Sequence, residues 1–194
     1  LKAERMADVG AGLGWFTRAA YNRGLSFVAI DSNIEKLEFV KNEIGCEIIL
    51  SYISNIPLGE QFDFIVSIDT LEHLLDPVSG ARLLFRRLRK GGGIVISVPN
   101  FNYFLFEKNI DLHRYFAYPA HLNYFTEKSI KTLLEYCGFE AVKTITITPP
   151  WERLYTVEPY IRRGIVNGVG YPFVDQWDER GKGERLLAYG HRSI

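Results

Sequence analysis

The sequence is short of several residues that mark whole classes of protein, and each shortage removes a possibility. Only two cysteines occur in 194 residues, Cys46 and Cys137. Two thiols are too few for a disulfide framework and fit a reducing, cytoplasmic setting in which both are buried. Neither charge sign is in excess, since Lys plus Arg and Asp plus Glu each number 23. Without a field of one sign, no nucleic acid and no membrane surface is expected as a partner. No apolar run is long enough to cross a bilayer and no secretory leader is visible, so a soluble protein is expected. Internal repeats and low-complexity tracts are absent. Histidine is scarce at four residues, and no metal is expected. What is plentiful is apolar residue, 47% of the chain. That is enough for one substantial core, a single domain over 1–194 and a small-molecule partner.

The stretch Met6 to Ser32, MADVGAGLGWFTRAAYNRGLSFVAIDS, organises the rest. It reads as a strand over Met6 to Val9, a turn built on Gly10, Gly12 and Gly14, a helix over Trp15 to Asn22, and a strand over Leu25 to Ile30 ending on Asp31. Glycine lets the chain leave the strand sharply and lets a ligand lie against the backbone. The following helix turns free N–H groups and the positive end of its dipole toward an anionic group such as a carboxylate. Asp31, at the carboxyl end of the second strand, is placed to accept hydrogen bonds from two ribose hydroxyls. A nicotinamide or flavin dinucleotide needs Gly-x-Gly-x-x-Gly, whose third glycine admits the pyrophosphate. Here that position is Trp15, which disfavours an NAD-linked oxidoreductase without removing it.

Asp8-x-Gly10-x-Gly12-x-Gly14 followed by Asp31 resembles the first motif and ribose acid of class I S-adenosylmethionine-dependent methyltransferases. FDFIVSIDTLEHLLDP (Phe62 to Pro77), GGGIVISVPN (Gly91 to Asn100) and HLNYFTEKSIKTLLEYCGF (His121 to Phe139) are similar to the branch that includes ubiquinone-biosynthesis O-methyltransferases and sugar and natural-product methyltransferases. The likeness runs from Met6 to about Thr148. It implies an α/β, Rossmann-like doubly wound sheet in three layers, α/β/α, with seven strands and the last antiparallel. It also implies S-adenosyl-L-methionine as cofactor and S-adenosyl-L-homocysteine as product. Asp8 and the backbone of Gly10, Gly12 and Gly14 would hold the amino-acid end of the cofactor, with Asp31 and Ser32 at the ribose. Tyr52 stands where the family often has an acid beside the adenine; it could stack on the ring or lie at the rim, with the Ile53 N–H addressing a ring nitrogen. Ile68 and Asp69 would adjoin the methionine part. Family members usually carry helices ahead of the first motif, so a cap before Leu1 is expected.

The remaining chain follows by periodicity and punctuation. Asn33 to Glu43 is an amphipathic helix, Glu47 to Leu50 the third strand, and Phe62 to Ile68 an apolar central strand. Asp76-Pro77 starts a helix that runs to about Arg89 and ends at Gly91 to Gly93. Arg82, Arg86, Arg87, Arg89 and Lys90 form a basic cluster, better explained by the dipole at a helix end than by nucleic acid. Ile94 to Val98 is the fifth strand. Residues 101–125 carry nine aromatics and read as a lid inserted over an apolar pocket, the alternative being a satellite cluster under a long loop. His73, His113 and His121 are the candidate bases, although a histidine also fits a structural hydrogen bond. Arg114, Tyr115 and Tyr124 are the candidate substrate contacts. Thr126 caps a helix to Tyr136, closed by Cys137-Gly138. Glu140 to Thr148 and Glu184 to His191 are an antiparallel pair flanking an insertion over 149–183, with one helix near Glu158 to Val166. A small-molecule methyltransferase acting on oxygen is the leading expectation, with a non-catalytic cofactor-binding or partner subunit as another. A homodimer is possible.

Overall fold

The computed structural model describes residues 5–106, 119–147 and 185–193. Their strands form a seven-stranded sheet. In chain order the elements are β1 (Met6–Val9), α1 (Trp15–Tyr21), β2 (Phe27–Asp31), α2 (Ile34–Ile44), β3 (Ile48–Leu50), β4 (Phe62–Ile68), α3 (Pro77–Arg87), β5 (Leu88–Pro99), α4 (Phe101–Phe106), α5 (Glu127–Tyr136), β6 (Glu140–Ile147) and β7 (Arg185–His191). Short 3-10 turns cover Ile53–Asn55 and Leu71–His73. The strand order is β3-β2-β1-β4-β5-β7-β6. β1 to β5 pair in parallel, and β7 enters antiparallel between β5 and β6. The order reverses beside β1, between β1 and β4. That is where an open parallel sheet leaves a crevice at its carboxyl ends.

Strands sheltered by helices on both faces carry unbroken apolar runs. β1 is buried at every position, and Phe62, Ile65, Ile94, Ile96 and Val98 in β4 and β5 are buried. On one side, Leu37, Val40 and Ile44 of α2 pack on Ala29 of β2. Elsewhere Ala81 and Leu84 of α3 join Ile130 and Leu134 of α5 over the central strands. The helix starts are those that the side chains dictate. Asn33 accepts from the Lys36 N–H at 3.0 Å, and Asp76 from the Ser79 N–H at 2.9 Å. Thr126 and Ser129 bond reciprocally as a capping box. Each satisfies an amide that the first turn leaves open.

Three expectations need correction. The α3 helix stops at Arg87, and Gly91 to Gly93 lie inside β5 rather than ending a helix. Leu88 turns to extended backbone at φ −79° and ψ 137° and is fully buried, and the Arg87 guanidinium before it is buried and donates to the Ile56 carbonyl at 2.8 Å. The chain then enters β5 at once, with an irregular register opposite Phe62 to Phe64. The second strand begins at Phe27, since Leu25 is exposed and its amide still bonds the Ala20 carbonyl at the end of α1. Of the two thiols, Cys137 is buried but Cys46 only partly so. Arg89 grips Asp63 at 3.0 Å and Arg82 lies over the Tyr136 ring. These contacts give much of the basic cluster a structural explanation.

Candidate active site

The glycine turn opens the site. Gly10, Gly12 and Gly14 all have positive φ, at 79°, 56° and 72°, a region costly for residues with a Cβ. Their surroundings separate their tasks. A Cβ on Gly10 would collide with Thr70, and one on Gly14 would lie 2.7 Å from Val40 Cγ2; one on Gly12 would meet nothing within 4 Å. The outer two glycines therefore let the turn pack, and the middle one faces space left open by the described residues. Trp15, first residue of α1, is 69% exposed, so most of its indole lies outside the seam between helix and sheet.

Asp31 is tied to the same turn. Its Oδ2 accepts from the Gly12 N–H at 2.8 Å and its Oδ1 from the Asn33 N–H at 2.9 Å. Carboxylate oxygens have further lone pairs, and Asp31 is only partly buried, which fits a carboxylate waiting for hydroxyl donors. Ser32 beside it is exposed. Asp8 is placed differently: it is buried under the turn and accepts from the Thr17 hydroxyl at 2.7 Å. Burial pushes its carboxyl up to about 6, against the lowering influence of Thr17. Tyr52 is 67% exposed just beyond β3 and leads into the turn that contains Ile53. The Ser51 N–H bonds the Asp31 carbonyl at 2.9 Å, which sets this rim next to the ribose acid.

At the carboxyl end of β4 the chain is held in a bend. Asp69 has φ 49°, its N–H reaches the Ser97 carbonyl at 3.0 Å, and its Oδ1 pairs with Arg185 at 2.9 Å. Burial raises the Asp69 carboxyl, while Arg185, His121 and His73 pull it down. Ile68 before it is partly buried. The next turn presents Glu72 and His73. Glu72 is fully buried, and burial together with the Asp69 charge pushes its carboxyl up to about 8. The His73 Nδ1 lies 2.7 Å from the Ala120 carbonyl. A carbonyl only accepts, so Nδ1 carries a proton, and in the neutral ring Nε2 keeps the lone pair. The His73 and His121 rings stand 4.9 Å apart.

His73 thus does make the structural bond that was one of its two readings, and that bond brings it to His121, 48 positions along the chain. Tyr124 donates its hydroxyl to the His121 carbonyl at 3.2 Å. Its ring lies 6.0 Å from that of Phe101. The Phe101 N–H bonds the Phe125 carbonyl at 2.7 Å, so the two ends of the aromatic segment are pinned together at the carboxyl edge of the sheet. His113, Arg114 and Tyr115, the rest of that segment's centre and the whole of the 149–183 insertion lie outside the described residues. Two site residues escaped the sequence reading. The signal for Glu72 was present in the Glu72-His73 pair; Arg185 gave none, because 116 positions separate it from Asp69.

The turn, the carboxylate at the end of β2 and the polar bend after β4 all lie at the carboxyl ends of the neighbouring strands β1, β2 and β4, the edge at which open parallel sheets take their ligands. A family model described as a methyltransferase domain matches residues 2–144. This chain belongs to that family. The dinucleotide alternative falls with that match. Among curated relatives of the methyltransferase domain, the ubiquinone biosynthesis O-methyltransferase of Pseudomonas fluorescens SBW25 is 31% identical over 109 residues, 53% of this chain and 47% of the relative. That of Pseudomonas putida W619 is 32% identical over the same length. The chain spans about half the length of the curated relatives it matches. Among solved structures, a possible histamine N-methyltransferase from Thermotoga maritima superposes with a TM-score of 0.70 at 18% identity, over 100% of this chain and 83% of that one. Phosphoethanolamine N-methyltransferase 2 of Haemonchus contortus, in complex with S-adenosyl-L-methionine, gives 0.69 at 16% identity, over 98% of this chain and 49% of that one. At these identities the superpositions show the fold. Among the described residues, no helix is long and apolar enough to cross a membrane.

Proposed function

We propose that this chain is an S-adenosylmethionine-dependent methyltransferase domain that transfers the methyl group to a hydroxyl oxygen of a small-molecule acceptor. The observation that carries the reading is the placement of two groups at the carboxyl ends of neighbouring strands: an open-faced glycine turn with the Asp31 carboxylate after β1 and β2, and a cluster of proton-handling side chains after β4. Asp31 would receive the ribose hydroxyls, and the turn amides at the head of α1 the cofactor carboxylate. The sulfonium methyl would then point toward the bend at Asp69.

The sulfonium supplies an electrophilic methyl, so the protein's main task is to align an acceptor and keep water out. Bound S-adenosylmethionine would supply the methyl and keep the sulfur–methyl electron pair as S-adenosylhomocysteine, and the acceptor's hydroxyl proton would pass to the polar cluster around His73 and His121. The need to dispose of that proton favours oxygen at this site, and the ubiquinone O-methyltransferase relatives point the same way.

Titration calorimetry with S-adenosylhomocysteine tests the cofactor site. Binding is expected, with Asp31→Ala weakening it about tenfold or more, since a charged carboxylate hydrogen bond carries roughly 1.5–3 kcal/mol. Transfer of labelled methyl to a panel of phenols, sugars and amines tests the acceptor. An unchanged affinity in Asp31→Ala, or label appearing only on amines, overturns the corresponding half of the reading.

A further inference from the structure

We propose that Glu72, His73 and His121 together form a binding site for a divalent first-row transition-metal ion, set in the polar cluster after β4. The ligand atoms of these three residues, one carboxylate oxygen and two ring nitrogens, all lie within 4.8 Å of one another. Ligands at about 2.0–2.2 Å from one ion stand at most about 4.4 Å apart. Small side-chain rotations therefore close the set around an ion.

Three features go beyond proximity. Glu72 is 0% exposed, and among the described residues neither of its carboxylate oxygens has a hydrogen-bond partner. Leaving such a group bare inside a protein is costly, and a cation in front of it removes the cost. His73 has the outer hydrogen bond that metal-binding histidines have: its Nδ1–H is held by the Ala120 carbonyl at 2.7 Å, which leaves Nε2 as the nitrogen that would bind an ion. The two stretches that carry the ligands are also locked together by backbone. The Glu72 carbonyl accepts from the Leu122 and Asn123 N–H groups at 2.8 and 3.0 Å, and the Asn123 side-chain amide donates to the Leu74 carbonyl at 2.6 Å. The site is thus built before any ion arrives. Two imidazoles and one carboxylate suit zinc, manganese or iron better than calcium, which prefers oxygen alone.

The ion's role rests on the methyl-transfer reading, whereas its binding does not. Three protein ligands leave coordination positions open. In the ion-loaded site an acceptor hydroxyl held there would have its pKa lowered and would release its proton to solvent rather than to the histidines, with the oxygen fixed for attack on the methyl. His73 and His121 then serve as ligands.

The test uses the whole chain, freed of metal with a chelator and titrated calorimetrically with zinc or manganese chloride, with calcium chloride as control. Bound metal is counted by mass spectrometry, and S-adenosylhomocysteine affinity is measured in parallel. The expected result is one zinc or manganese per chain. Affinity should fall about tenfold or more in Glu72→Gln and in His121→Ala, a loss at least as large as outer-shell changes produce, with cofactor affinity unchanged. Glu72→Gln keeps the shape of the side chain, and a preserved thermal midpoint shows that it folds. Metal-free protein that binds none of these ions, or ion binding as tight in both variants as in the native chain, overturns the proposal. Metal binding without cofactor binding would instead sink the methyltransferase reading and leave the ion site standing.

Discussion

At the residue scale, the three turn glycines are not equivalent, and substitutions separate them. Gly14→Ala sets a Cβ 2.7 Å from Val40 at φ 72°; strain and overpacking together should cost about 2–4 kcal/mol in urea unfolding. Gly12→Ala meets no neighbour, so its stability loss should be only the ~1–2 kcal/mol of left-handed backbone. Its larger effect should be on cofactor affinity in calorimetry. The reverse ranking would mean that the open side of the turn is not where the ligand lies. Asp8 sets a pH dependence. Its carboxyl titrates at about 6 in the folded chain against an ordinary 3.8, so the folded state holds the proton more tightly. Stability from this group is complete below the unfolded value and is lost as pH rises through about 6, a total of about 3 kcal/mol. Asp8→Asn, which still accepts from Thr17, should therefore raise the thermal midpoint near pH 8 and change it little near pH 4. A gain independent of pH would show that the buried charge is not its source.

At the scale of elements, the starts of helices were legible and some of their ends were not. Asn33, Asp76 and Thr126 announce their helices through side-chain oxygens that reach only three residues ahead. Arg87 looked like one more cation at a helix end, because its partner is the carbonyl of Ile56, 31 positions away. The same limit hid the continuation of β5 through the glycines, which rests on pairing with β4 and β7. Thr126→Ala breaks the capping box and should destabilise the chain by about 1 kcal/mol, read as a lower urea midpoint with an unchanged slope. A loss well beyond that would mean that Thr126 supports the neighbouring His121 loop as well as α5.

At the scale of the molecule, β7 joins two parts that cannot otherwise meet. Among the described strands, β6 pairs with β7 alone, and β7 bridges it to β5. Its Leu186 and Ala188 are buried in the main core, and Arg185 at its start holds Asp69. Removing residues 185–193 should leave β6 and the edge of β5 without partners, and the shortened chain should aggregate or lose cooperative unfolding by circular dichroism. A cooperative, soluble product would show that β6 finds another place on the sheet.

The sequence by itself determined the sheet class and the glycine turn with its carboxylate. Strand, glycine turn, helix and terminal acid lie within 27 residues of chain, and turn conformation, capping and apolar periodicity are local properties. The polar cluster after β4 was decided by tertiary structure. Asp69 and Glu72 meet Arg185 and His121 from distant stretches, and their burial and pairing exist only once β7 and the loop before α5 have closed on β4. Local residue preference carries no record of such encounters, because their energy arises from the desolvation and contact that folding itself creates.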